Sequence, residues 1–124
     1  MTTPLLILDL DETLIYASEQ GLARPPDFRV GNYRVYQRPG LTEFRDYCFT
    51  EFEVAVWTSA DHSYATEVVS HLFGTPQRLR FVWTAERCTQ RTNFETHERY
   101  AVKDLRKVRR LGIAKARPST ELLP

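Results

Sequence analysis

Asp9 and Asp11 stand two residues apart, just beyond the apolar run Leu5 to Leu8. In a strand, positions i and i+2 project to the same side, so the two carboxylates would converge. The carboxyl ends of strands in α/β sheets are also where ligands bind. Converging carboxylates repel each other, and a bound divalent cation is the usual way to hold them together. Mg²⁺ suits the pair, since it takes hard oxygen ligands and keeps several waters. A plain turn capping a strand would also place aspartates here, so the residues downstream must decide.

Those residues need elements to carry them. Leu5 to Leu8 has no polar face and reads as a central parallel strand covered on both sides. Phe28-Arg29-Val30 and Tyr33-Arg34-Val35-Tyr36 flank Gly31-Asn32, a two-residue hairpin signal. Pro39 marks a helix start, with Leu41, Phe44, Tyr47 and Cys48 at helical spacing. Phe52 to Trp57 is a second strand closing at Thr58-Ser59. Asp61 or Ser63 can cap the next helix, whose stripe is Tyr64, Val68, Val69, Leu72 and Phe73, and Gly74 and Pro76 end it. Leu79 to Trp83 is a third strand. The polar stretch Thr84 to Glu98 has no clear period, and a short helix is predicted from Val102 to Leu111. Residues 112–124 are expected to be an irregular tail. Strands alternating with helices predict one α/β domain with a mostly parallel sheet.

Composition narrows the function classes. With 124 residues, 42% of them hydrophobic, the chain has material for a core. A net charge of +1 gives no bias towards nucleic acid or an anionic membrane, and no apolar run is long enough to span a bilayer. Residues 1–20 fail as a signal peptide because Asp9, Asp11 and Glu12 interrupt the apolar segment. Two cysteines, Cys48 and Cys88, cannot form a disulfide scaffold and point to a reducing, cytoplasmic setting. A monomer is expected, with neither nucleic acid nor membrane as partner. Cysteine-phosphatase spacing, zinc spacing among His62, His71 and His97, and a G-x-x-x-x-G-K-[ST] phosphate loop are all missing from the sequence. The run Arg106, Lys107, Arg109 and Arg110 reads as a solvated helix face.

Asp9-Leu10-Asp11-Glu12-Thr13-Leu14 resembles the D-x-D-x-T motif of aspartate-dependent phosphatases in the haloacid dehalogenase superfamily. Arg38-Pro39-Gly40-Leu41, Val56-Trp57-Thr58-Ser59-Ala60, Tyr64-Ala65 and Val102-Lys103-Asp104-Leu105 follow in the order of its FCP/SCP-like, or NLI-interacting-factor-like, branch. The resemblance implies a Rossmann-like three-layer sandwich with a small hairpin insert and no large cap. It implies a Mg²⁺-dependent phosphomonoesterase acting on phosphoserine or phosphothreonine in a protein or peptide. Asp9 would be the nucleophile that becomes an aspartyl-phosphate, and Asp11 the general acid and base. The Asp9 side chain and the Asp11 carbonyl would bind Mg²⁺, while Thr13 would orient Asp11 and its loop. Thr58 and Ser59 would bind phosphate oxygens, and Lys103 would offset charge on the nucleophile and phosphoryl group. Arg38 is placed either to contact substrate phosphate or simply to flank Pro39.

One departure from that pattern stands out. The branch carries a fourth motif, an acidic pair or Asp-Asn after a further apolar strand, and residues 112–120 hold neither. The chain therefore reads as truncated before that motif, lacking a metal ligand and the strand expected beside the first. An alternative function follows from that reading: a phosphatase-like binding module with weak or no turnover.

Overall fold

A computed structural model describes residues 3–110 and 121–123. Nine strands and three helices are present among them: β1 (Leu5–Leu8), β2 (Ile15–Ser18), β3 (Phe28–Val30), β4 (Tyr33–Gln37), α1 (Leu41–Glu51), β5 (Glu53–Trp57), α2 (His62–Phe73), β6 (Val82–Trp83), β7 (Thr89–Thr92), β8 (Arg99–Val102), α3 (Arg106–Arg110) and β9 (Glu121–Leu123). The central sheet has the order β6-β5-β1-β9 and its pairs are all parallel. Register sets Leu8 opposite Val56 and Trp57 opposite Trp83, so β1, β5 and β6 finish at one edge.

The unbroken apolar run of β1 is explained by burial on both faces. Leu6, Leu8, Val54 and Val56 pack towards Leu41 and Cys48 of α1 and the Val68, Val69, Leu72 and Phe73 stripe of α2. Leu5, Ile7, Ala55 and Trp57 face the other way, against Trp83, Cys88 and Val108 of α3. Helices on both faces of a parallel sheet make the expected three-layer α/β sandwich. Asp61 caps α2, its carboxylate accepting from the Tyr64 backbone N–H at 3.0 Å, and Gly74 closes it at φ 80°. Between Thr13 and Arg38 the chain builds only a three-stranded antiparallel sheet, β2-β4-β3, in place of a large cap. Among the described residues no helix is long and apolar enough to cross a membrane.

Several expectations need correction. The stretch read as aperiodic forms the β7–β8 hairpin, and the helix predicted from Val102 begins only at Arg106. Gln90 to Ala101 are exposed on both faces, so no alternation marks the strands. The irregular tail and the missing strand beside β1 are corrected at residues 121–123, which pair in parallel with Leu6 to Leu8. Glu-Leu-Leu is too short to show a period, but the edge of β1 offers it a row of backbone donors and acceptors. Residues 112–120 and 124 of that predicted tail, with the departure from the fourth motif read there, lie outside the described residues. The third strand is also shorter than expected, spanning only Val82–Trp83.

Candidate active site

Asp9 leaves the end of β1, and the chain turns back at once. The Leu10 carbonyl accepts from the N–H groups of Thr13, Leu14 and Ile15, at 3.2, 2.9 and 3.2 Å. Glu12 sits at φ 66° inside this loop, a left-handed position uncommon for a residue with a Cβ. The fold thus spends local strain on pinning the two carboxylates at the sheet edge.

Lys103 reaches the site from the end of the β7–β8 hairpin. Its Nζ lies 2.7 Å from Asp9 Oδ1, and both side chains are largely buried, at 16% and 24% exposure. The Thr13 hydroxyl donates a long bond of 3.4 Å to Asp9 Oδ2, so it faces Asp9 and not Asp11, as the resemblance had implied. Asp11 is oriented instead by Tyr64, whose hydroxyl donates to Asp11 Oδ1 at 2.7 Å. Burial raises the Asp11 pKa. The Asp9 and Glu12 charges push the same way, against the Tyr64 hydrogen bond and the Lys103 charge. Burial also pushes the Tyr64 phenol up, helped by Asp11, so this hydroxyl acts as a donor.

Thr58 stands beyond the end of β5 and is fully buried. Its hydroxyl oxygen accepts from the Ala60 N–H at 3.1 Å, leaving the hydroxyl proton to be donated. Ser59 is exposed beside it. Arg38 donates through Nη1 to the Thr13 carbonyl at 3.0 Å, which ties it to the Asp9 loop from outside. Asp104, after Lys103, accepts from the backbone and guanidinium N–H groups of Arg106, which hold its carboxyl well below the ordinary range. That clamp fixes the turn from which Lys103 projects.

A cleft of about 320 Å³ opens next to Asp11, lined by Glu12, Ala17, Tyr33, Ala60, Asp61 and Tyr64. Helical spacing puts Tyr64 in the apolar stripe of α2, and the family pattern contains it, but neither reveals its bond to Asp11. A signal was present: it lies in the first turn of the helix that leaves the edge where Asp9 and Thr58 end their strands. Glu121, on the strand beside β1, pairs with Leu6 in the backbone register. That leaves it three residues short of Asp9.

The sequence profile of the NLI interacting factor-like phosphatases matches residues 4–120. The chain belongs to this family. The putative CTD phosphatase-like protein 355R of Invertebrate iridescent virus 3 is 35% identical over 85 residues, which is 59% of this chain and 46% of the viral protein. Phosphatase PSR1 of Saccharomyces cerevisiae is 39% identical over 75 residues, 54% of this chain and 17% of the yeast protein. The chain therefore spans less than half the length of these relatives. Among solved structures, the fission yeast RNA polymerase II CTD phosphatase Fcp1 bound to beryllium fluoride superposes with a TM-score of 0.53. That match has 22% identity and covers 67% of this chain and 30% of Fcp1, which supports the shared fold.

Proposed function

We propose that this NLI interacting factor-like chain is a Mg²⁺-dependent phosphomonoesterase that works through an aspartyl-phosphate on Asp9. The observation that carries the reading is the Lys103 ammonium on Asp9 Oδ1, beside an Asp11 carboxyl held by Tyr64. Asp9 supplies the attacking carboxylate oxygen, and Lys103 offsets the charge that gathers on it and on the transferring phosphoryl group. Asp11, with its raised pKa, gives a proton to the departing oxygen and later takes one from the attacking water. Thr58, through its hydroxyl, and the exposed Ser59 bind phosphate oxygens.

The oxygen donors fit a hard cation. Among the described residues Asp9 Oδ2 has only the long Thr13 contact, and the Asp11 carbonyl accepts no backbone hydrogen bond. These two groups would hold Mg²⁺, which supplies charge neutralisation and orientation of the phosphate. Among the described residues no cluster of three or more acids, histidines or cysteines adds to them.

The substrate class follows from access. The small three-stranded insert leaves the Asp11 cleft open, which suits phosphoserine or phosphothreonine on a protein chain better than an enclosed metabolite. Relatives named as CTD phosphatases support a phosphoprotein substrate. The free buried thiols Cys48 and Cys88 support a reducing, cytoplasmic setting.

The test is hydrolysis of para-nitrophenyl phosphate and of a phosphoserine peptide, with Mg²⁺ or with EDTA. Turnover should require Mg²⁺ and vanish in Asp9→Asn. Turnover that survives Asp9→Asn rejects the mechanism, and phosphopeptide binding without release of phosphate would favour a binding module.

A further inference from the structure

We propose that Tyr64 is the positioning residue that selects which oxygen of Asp11 carries the transferred proton. The inference rests on the phosphatase reading above and goes beyond it by adding a residue that the D-x-D-x-T motif does not contain. The Tyr64 hydroxyl occupies Asp11 Oδ1 at 2.7 Å. Among the described residues Asp11 Oδ2 has no hydrogen-bond partner, so it is the oxygen free to exchange a proton with the leaving group. Rotation of the carboxyl about χ2 is otherwise soft, and an unheld group would present either oxygen, or neither, in line with the departing atom.

Tyr64 is itself held from two sides. Asp61 accepts from its backbone N–H at 3.0 Å, which fixes the first turn of α2. Tyr33, at the start of β4, packs its ring edge-on with centroids 5.7 Å apart. The Gly31-Asn32 hairpin thereby buttresses the acid through a ring, without touching Asp11. Thr13 does not duplicate this role, because its hydroxyl faces Asp9.

The step at stake is the first one. The Asp9 oxygen bonds to phosphorus, the bond from phosphorus to the leaving oxygen breaks, and the Asp11 proton passes to that oxygen. A leaving group that departs readily as an anion needs no such proton, whereas a serine alkoxide does. The later proton transfer from water is common to both substrates, so loss of the positioning bond should be selective for the poor leaving group in kcat/KM, which reads the first step alone.

The experiment compares wild type with Tyr64→Phe on a phosphoserine peptide and on 2,4-dinitrophenyl phosphate. It is paired with titration by beryllium fluoride, a mimic of phosphoryl bound to Asp9. Tyr64→Phe keeps the ring and its packing on Tyr33. Expected is a fall in kcat/KM of roughly ten- to a hundredfold on the peptide, the scale of a lost hydrogen bond to a charged group. The dinitrophenyl kcat/KM and the beryllium fluoride affinity should stay within about twofold. Tyr33→Ala should give the same selective pattern more weakly. Equal losses of kcat/KM on both substrates, or none, overturn the proposal while leaving the phosphatase reading in place. A wild-type chain that hydrolyses neither substrate overturns that reading and the proposal with it.

Discussion

Removal of Lys103 tests how tightly the site is wired. At 2.7 Å from Asp9 Oδ1, the ammonium gains about 6 kcal/mol of Coulomb attraction at an effective dielectric of 20. Desolvation of both groups and the lost rotamers of lysine offset most of this. A charge-assisted hydrogen bond nets about 1.5–3 kcal/mol. Side-chain exposures of 16% and 24% keep the pair out of the strongly screened surface class. Lys103→Met also leaves Asp9 facing Asp11, two carboxylates with no cation between them. Asp9→Asn strands the ammonium but relieves that repulsion. Lys103→Met should therefore be the more destabilising single change, and the two together should cost less than their sum. A coupling of about 2 kcal/mol is expected from urea unfolding in EDTA, monitored by tryptophan fluorescence. Lys103→Met should also lower kcat on para-nitrophenyl phosphate by about 10²–10³ in Mg²⁺. Additivity within about 0.5 kcal/mol would refute the reasoning, since contacts that matter couple and independent sites do not.

Other consequences can be checked directly. Thr58→Val removes the acceptor of the Ala60 N–H, so it should cost about 1 kcal/mol of stability and weaken competitive inhibition by inorganic phosphate about tenfold. Asp61→Ala deletes the cap of α2 and should lower stability by about 1 kcal/mol in thermal melts, with partial loss of turnover because Tyr64 lies in the capped first turn. Burial raises the Cys48 thiol above its usual value of 9.0, so the unfolded chain releases this proton first as pH rises. The unfolded state then binds fewer protons than the native one, and stability should fall from about pH 9 upward. Cys48→Ala should flatten that alkaline decline in urea midpoints, and an unchanged slope would assign it to other groups.

The fold was legible where burial imposes a pattern. Leu5 to Leu8 could be read because a central parallel strand is apolar on both faces, and α2 because Val68, Val69, Leu72 and Phe73 share one face. Ile15–Ser18 was harder to see. Only Ile15 is fully buried there, and the strand exists through its pairing with β4. The β7–β8 hairpin gave no signal at all: its pairing is held by backbone bonds between exposed residues such as Arg91 and Tyr100. Glu121–Leu123 likewise owes its strand to β1 and not to its own sequence.

The site divides along the same line. Asp9, Asp11 and Thr58 were readable because each follows a strand by a residue or three, and strand ends converge by construction. Lys103 is different, lying 94 residues from Asp9 in the chain. Nothing local explains its arrival; the family pattern alone pointed to it. The geometry supplies the cause. Cys88 is buried beneath the site with its Sγ 3.9 Å from the Thr58 carbonyl, which anchors the root of β7 at the end of β5. Register then pairs Thr89 with Val102, so the chain returns to the level of its departure. Lys103 is the next residue, opposite Cys88 and beside the strand ends. The exposed hairpin works as a measured loop: its pairing, not its side chains, carries a lysine back to Asp9. Its length beyond that root is free to vary without moving Lys103, whereas a shift of one residue between Cys88 and Lys103 in the pairing would turn the ammonium to the other face.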